Sequence, residues 1–240
     1  MSVGCQILDW DSAFFGMRIG RIASGSLDAP RAREALQWAR EQRMDCLYFL
    51  ADPGEPETIR AAEDHGFRLV DVRLTLEASP RPLRPPSARI RVAAEADIAR
   101  LRDIAASSHS DSRFYADGHF ARARCDELYR VWIEKSCKGG ADRVLVADLG
   151  EGACGYITCH AGDGCVGSIG LVGIDAGARG SGLGTELVQA SLDWFAAQRI
   201  PEVTVVTQGR NRKAQRLYQR SGFLTRSVGF WYHVWPNPAP

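Results

Sequence analysis

Residues 168–175 read Ser-Ile-Gly-Leu-Val-Gly-Ile-Asp, residues 179–184 Arg-Gly-Ser-Gly-Leu-Gly, and residues 211–223 Asn-Arg-Lys-Ala-Gln-Arg-Leu-Tyr-Gln-Arg-Ser-Gly-Phe. A helical pattern from Thr185 to Arg199 and the β-branched run Val203-Thr-Val-Val-Thr207 lie between the last two. The order is strand, glycine turn, helix. It makes an anion site, because unpaired backbone N–H groups and the positive end of the helix dipole meet at such a turn. Asn211 and Tyr218 are two helical turns apart, which places them on one face with Ala214 between and Leu217 toward the core. Arg210, Arg212, Lys213 and Arg216 surround the start of that last helix.

Working outward, the totals are those of an ordinary soluble globular protein: 240 residues, 45% hydrophobic, 25% charged, net charge +1. Near-neutral charge argues against a nucleic-acid partner. The seven cysteines (5, 46, 125, 137, 154, 159 and 165) include no Cys-x-x-Cys pair. Scattered reduced thiols and no metal are therefore expected. The N-terminus has no basic-then-apolar leader and no apolar run reaches membrane length, so a cytoplasmic protein without a membrane partner is expected. The oligomeric state is left open, with a homodimer among the options.

Along the first half, Met17 to Ala23 reads as a strand, and the Phe14-Phe15 pair before Gly16 as a strand-edge anchor or, for Phe15, a substrate-cleft lining. Asp28 to Arg43 is a helix with a proline start, Cys46 to Ala51 a buried strand, Glu57 to His65 a helix ending at Gly66, and Phe67 to Glu77 a strand. Residues 79–87 carry four prolines and form a stiff linker. The boundary there gives residues 1–78, 79–87 and 88–240 as N-terminal domain, linker and C-terminal domain. In the second half, Ile90 to Val92 is a strand, Glu95 to Ala106 a helix, Ser107 to Tyr115 a polar loop, and Gly118 to Lys138 helical. Strands Arg143 to Leu149 and Ala153 to His160 follow, and Leu224 to Trp235 reads as paired final strands. The fold class is α/β (α+β), a mixed and mostly antiparallel sheet flanked by helices.

Sliding the chain on itself by 156 residues aligns 36–67 with 192–223 without a gap, with seven identical pairs including Gly66-Phe67 on Gly222-Phe223. Helix falls on helix and strand on strand. The N-terminal segment therefore reads as a truncated, degenerate copy of the C-terminal fold. The copy loses the chemistry: Asp28 falls where Gly184 stands, Glu55 on Asn211 and Ala62 on Tyr218.

Two nucleotide motifs fail on the glycine turn. A P-loop needs Gly-Lys-Ser/Thr, and Gly184-Thr185 lacks the lysine; a dinucleotide fingerprint needs different glycine spacing early in a βαβ unit. Leu171-Val-Gly-Ile-Asp, Arg179-Gly-Ser-Gly-Leu-Gly and Asn211…Ala214…Tyr218…Gly222-Phe223 together resemble the GNAT superfamily of N-acetyltransferases, over roughly residues 89–235. The resemblance implies acetyl-CoA as co-substrate. Val172, Gly173 and Ile174 would lie in a splayed strand paired with the pantetheine arm. Arg179, Gly180, Ser181, Gly182, Leu183, Gly184 and Thr185 would cradle the pyrophosphate. Asn211 would bond the cofactor arm and Tyr218 protonate the departing thiolate, a general-acid contribution of about 10²–10⁴-fold. No single base stands out among Asp111, Asp117, His119 and Glu134.

The opening Trp10 to Gly16, the degenerate half-copy, Ser112-Arg113-Phe114 and Trp132-Ile-Glu resemble more narrowly the dTDP-fucosamine acetyltransferases. That implies an amino sugar nucleotide, of the dTDP-4-amino-4,6-dideoxyhexose type, as substrate, with Arg113 facing a phosphate. The alternatives are a GNAT enzyme for another amine (protein N-terminus, antibiotic, polyamine) and a non-catalytic acyl-CoA-binding regulator.

Overall fold

The computed structural model describes residues 4–80 and 87–236. Most of the proline-rich linker and of the proline-rich C-terminal end therefore lies outside the described residues. In order the elements are β1 (Cys5–Ile7), α1 (Asp9–Phe15), β2 (Ile19–Ile22), α2 (Ala29–Glu41), β3 (Cys46–Ala51), α3 (Pro56–Asp64) and β4 (Arg68–Ala78). After residues 79–87 come β5 (Ile90–Val92), α4 (Ile98–Ser108), α5 (Arg113–Asp117), α6 (Arg122–Lys135), β6 (Arg143–Asp148), β7 (Ala153–His160) and β8 (Val166–Ile174). The chain closes with α7 (Leu183–Ala197), β9 (Glu202–Gln208), α8 (Arg212–Arg220) and β10 (Leu224–Val234).

Local chemistry explains most of these bounds. Asp28 caps α2 by accepting from the Arg31 N–H at 2.8 Å, with proline in the first turn. Gly66 and Gly222, at φ 81° and 89°, turn the chain out of α3 and α8 into the next strand.

All ten strands form one sheet in the order β1-β2-β3-β10-β4-β9-β8-β7-β6-β5. Among the described residues only β2–β3 and β8–β9 pair in parallel, so the sheet is mixed and mostly antiparallel, as expected. Helices α1, α4, α5 and α6 cover one face through a cluster that includes Tyr48, Phe114, Tyr129 and Tyr156. Helices α2 and α3 cover the other face of the first half, and α7 with α8 that of the second.

Four consecutive elements recur at a spacing of 156 residues: α3 and β4 repeat as α8 and β10 to the residue, and β3 starts as β9 does. Arg43 and Arg199, the two non-glycine residues with positive φ among the described residues (51° and 60°), occupy the same place after α2 and α7. The pairing repeats as well. Phe230↔Ala51 through Val234↔Leu47 has the register of Leu74↔Thr207 through Ala78↔Val203. Each half gives its last strand to the other, so a local two-fold axis passes through the Arg73↔Gly229 pair. The ungapped slide fails at one place. Tyr48 and Thr204 are 156 apart, but their strand partners Arg21 and Ser168 are only 147 apart. The first half thus lacks nine residues between strand and helix, where the second half builds its turn.

Three local expectations are corrected. The tail is one eleven-residue strand, not a pair. Gly229 is there for close approach rather than for a turn, since a Cβ would meet Leu50 Cδ1 at 2.9 Å. Phe14 and Phe15 end a short helix, not a strand edge. Trp10 and Phe14 stack one turn apart (5.2 Å), and Gly16 closes the helix at φ 69°. The polar loop is shorter than expected, because α4 runs on to Ser108 and burial of Phe114 nucleates α5.

Candidate active site

Strands β8 and β9 pair from Val166↔Glu202 to Ile169↔Val205 and then separate. The cause is on the other edge of β8. The register with β7 steps from Cys159↔Ile169 to Ile157↔Val172, so Gly170 and Leu171 together oppose Thr158 in a bulge. The Thr158 hydroxyl accepts the Leu171 N–H at 2.8 Å. Gly170 has to be glycine, because a Cβ would lie 2.7 Å from both Thr158 Oγ1 and His160 Nε2. Beyond the bulge, Val172, Gly173 and Ile174 have no partner on β9, and backbone hydrogen-bonding groups are left facing the gap. Gly173 rests on the buried Tyr156, whose ring a Cβ would approach to 2.6 Å. The Tyr156 hydroxyl lies 2.9 Å from His109 Nε2, and the His109 ring stacks on Tyr129 at 4.3 Å. Burial pulls His109 down to about 4, so the floor of the gap holds a neutral imidazole at neutral pH.

The turn after β8 is held from several sides. Arg179 Nε donates to the Ile174 carbonyl (3.1 Å), Ser181 Oγ to the Ala178 carbonyl (2.6 Å), and Arg100 pairs with Asp175 at 2.7 Å. Gly180 and Gly182 take φ 83° and 88°, and Gly182 is the N-cap of α7. Among the described residues, the N–H groups of 180–184 donate to no protein acceptor. They lie at the helix N-terminus with unpaired donors, whereas the Thr185 N–H is turned back to the Gly182 carbonyl at 3.0 Å. Gly184 lets α8 close in, since Leu217 lies 3.3 Å from where its Cβ would be. Glu186 in the first turn of α7 would repel an anion, but its carboxylate accepts from Ser87 Oγ (2.7 Å) and Arg89 Nε (3.1 Å) and forms an ion pair with that guanidinium.

Asn211 is the N-cap of α8: its Oδ1 accepts from the Ala214 N–H at 3.0 Å, which leaves its amide N–H₂ to donate. Tyr218 is 4% exposed, packs against Phe223 with ring centroids 5.7 Å apart, and its hydroxyl bonds to no described residue. Burial pushes its phenol well above the ordinary value, so it keeps its proton at any physiological pH. Leu217 packs toward the core as expected, half-buried under Gly184, and Tyr218 is the more deeply buried of the two, because α8 leans on the turn of α7.

On the face opposite α7, Arg113 of α5 stacks its guanidinium on Trp231 (4.2 Å), Phe114 (4.4 Å) and Tyr48 (4.7 Å). Phe15 packs on Phe114 and Phe120 (5.3 and 4.6 Å), a half-buried part of the aromatic cluster that backs Arg113. Of the four base candidates, Asp117 is a hydrogen-bond hub, accepting from Trp235 Nε1 (3.2 Å) and sharing protons with His119 Nδ1 (2.6 Å) and the buried His233. Cys46 lies with Asp117 and His233 in a group whose ligand-type atoms are within 4.8 Å of one another. Glu134 is occupied by Arg102 and Lys138 on the outer side of α6. Asp111 is half-buried near Asp71.

Asp71 went unnoticed in the sequence. Its side chain is 4% exposed, lies 3.7 Å from Arg210, and is pushed up to about 6 by burial, partly offset by that arginine. The available signal was opposite charges at alternate positions, Asp71 and Arg73, on one face of a strand whose other face is apolar from Val70 to Leu76. A separate cavity of about 390 Å³, lined by Glu95, Lys138 and Asp142 among others, lies at the end of α6 away from these residues.

A model of the acetyltransferase (GNAT) family matches residues 100–223. The dTDP-fucosamine acetyltransferase of Escherichia coli O6:H1 is 31% identical over 233 residues, 94% of this chain and 96% of that one. The spore coat polysaccharide biosynthesis protein SpsD of Bacillus subtilis is 27% identical over 64% of this chain, which spans 53% of that protein. Among solved structures, a GCN5-related N-acetyltransferase from Sphaerobacter thermophilus superposes with a TM-score of 0.69 at 17% identity, covering 98% of this chain and 77% of that one. Among the described residues no helix is long and apolar enough to cross a membrane.

Proposed function

Since the chain belongs to the acetyltransferase (GNAT) family, we propose that it moves the acetyl group of acetyl-CoA onto the amine of a nucleotide-linked amino sugar, of the dTDP-4-amino-4,6-dideoxyhexose type. Acetyl-CoA supplies an activated acyl group as a thioester. The free N–H groups of 180–184 hold the pyrophosphate, with Glu186 neutralised beside them by Arg89. The unpaired edge of Val172–Ile174 pairs with the pantetheine arm as an added strand would, and the Asn211 amide steadies it. Tyr218, protonated and buried at the same gap, gives its proton to the departing thiolate. Asp71 is the carboxylate near the open end of β9 best suited to take the proton the amine must lose, because burial has brought it closer to neutral pH. Holding the two reactants across the gap supplies much of the rate.

The observation that carries the acceptor assignment is Arg113 held flat on Trp231 and Tyr48 on the sheet face opposite the pyrophosphate turn, next to the relative named for dTDP-fucosamine. A thiol-release assay with acetyl-CoA against a panel of amino sugar nucleotides tests it. Turnover is expected with a dTDP-linked 4-amino sugar, and Arg113→Ala is expected to raise KM for it at least tenfold while leaving KM for acetyl-CoA within twofold. An unchanged KM for the sugar nucleotide rejects the assignment.

A further inference from the structure

Building on the reading of the acceptor as a nucleotide-linked amino sugar, we propose that Arg21 and Arg73 join Arg113 in a three-guanidinium clamp for the acceptor's diphosphate. The three come from β2, β4 and α5, and the sheet register brings them to one face. Arg21 is opposite Tyr48, and Tyr48 is opposite His233. Arg73 is opposite Gly229, so Trp231 lies between the two rows on the same face by the two-residue period of β10. Arg113 lies over Trp231 and Tyr48, at the middle of this arrangement.

Elsewhere among the described residues, half-buried arginines are matched apart from Arg143, on β6 four strands away from β4, whose Nε is likewise buried without an acceptor. Arg91 grips Asp97 and Asp148, and Arg102 grips Glu127 and Glu134. Arg21, Arg73 and Arg113 instead form no ion pair within 4.0 Å among the described residues. The Nε of each is buried without an acceptor. Burial, with repulsion from Arg113 and Arg21, holds Arg73 below the usual arginine value. The nearby carboxylates compensate only in part: Asp11 and Asp71 both feel the Arg113 charge, yet neither comes within ion-pair distance of Arg21, Arg73 or Arg113, and Asp71 is turned to Arg210.

Like charges gathered with unmet donors are the mark of a site completed by an anion. A diphosphate fits better than a carboxylate. Each guanidinium presents a planar fork that takes two oxygens, and a single carboxylate can satisfy only one such fork. The diphosphate of the co-substrate is served by the separate turn at 180–184, on the α7 side of the sheet.

The test is a calorimetric titration of the full chain saturated with CoA, so that the turn is filled, using thymidine diphosphate, inorganic pyrophosphate and thymidine as probes. Both diphosphates are expected to bind and thymidine at least tenfold more weakly. Arg21→Gln and Arg73→Gln are each expected to weaken diphosphate binding at least tenfold, with Arg73→Lys in between. The ligand-free Gln variants are expected to melt at or above the wild-type temperature, since each relieves repulsion. A role in folding alone predicts the opposite, a lower Tm with diphosphate affinity unchanged. Affinity within twofold of wild type in both Gln variants, or thymidine binding as tightly as its diphosphate, overturns the clamp. If the diphosphates bind but no nucleotide-linked amino sugar is acetylated, the clamp stands and the acceptor assignment falls. If a neutral amino glycoside is acetylated and no diphosphate binds, the clamp falls and acetyl transfer stands.

Discussion

At single residues the gap between β8 and β9 makes three demands that can be measured. Tyr218 keeps its proton through burial, so Tyr218→Phe is expected to lower kcat by about 10²–10⁴-fold with little change in KM for acetyl-CoA. Steady-state kinetics decide this, and wild-type turnover would remove the tyrosine from the chemistry. Gly173 touches the Tyr156 ring, so Gly173→Ala must move either the ring or the strand. A loss of about 1–3 kcal/mol in urea unfolding is expected, together with a higher KM for acetyl-CoA. His109 carries a pH dependence. Its folded value, lowered to about 4 by burial, lies below its ordinary value, so as pH falls the unfolded chain takes the proton first. The stability this histidine secures above pH ~6.5 is lost as pH falls toward 4, by an amount on the order of 3 kcal/mol. His109→Gln, which can still bond Tyr156, is expected to flatten the stability profile in that window when the two proteins are melted side by side.

At the level of elements, the N-terminus of α7 shows why the proposed cofactor side of the site is legible in the sequence and most of the proposed acceptor side, Arg113 apart, is not. A glycine turn, its helix and an Asn…Tyr pair two helical turns apart are local patterns, readable at Gly180, Gly182, Asn211 and Tyr218 because backbone geometry alone dictates them. Arg21, Asp71 and Arg73 sit far apart in sequence and meet only through strand register, which no local pattern encodes. The same element hides a charge problem. Glu186 stands in the first turn where the proposed pyrophosphate would bind, and Arg89 from beyond the linker neutralises it. Arg89→Ala is expected to raise KM for acetyl-CoA several-fold by exposing that carboxylate, and adding Glu186→Gln should restore most of the loss. If the double variant is as poor as Arg89→Ala alone, the arginine acts by another route.

Across the whole molecule, the repeat was visible as matching helices and strands at 156 residues, but the exchange of final strands was not. Nothing in residues 68–78 or 224–234 says which half they will join, since the choice of partner strand is not written in either strand's own pattern. Only the assembled sheet, with β10 between β3 and β4 and β4 between β10 and β9, reveals it. A division at residues 79–87 therefore cuts the chain between units that complete each other's sheet. Expressed singly, residues 1–80 and residues 87–240 are each expected to show no cooperative melt. Co-expressed, they should recover the ten-stranded sheet and the thiol-release activity. A sharp, independent melt from either fragment would show that the exchanged strands are dispensable. During synthesis the consequence is a matter of timing. The first half leaves the ribosome with a strand-wide slot between β3 and β4, which cannot be filled until the last strand has been translated. Both edges of that slot stay open to stray pairing meanwhile.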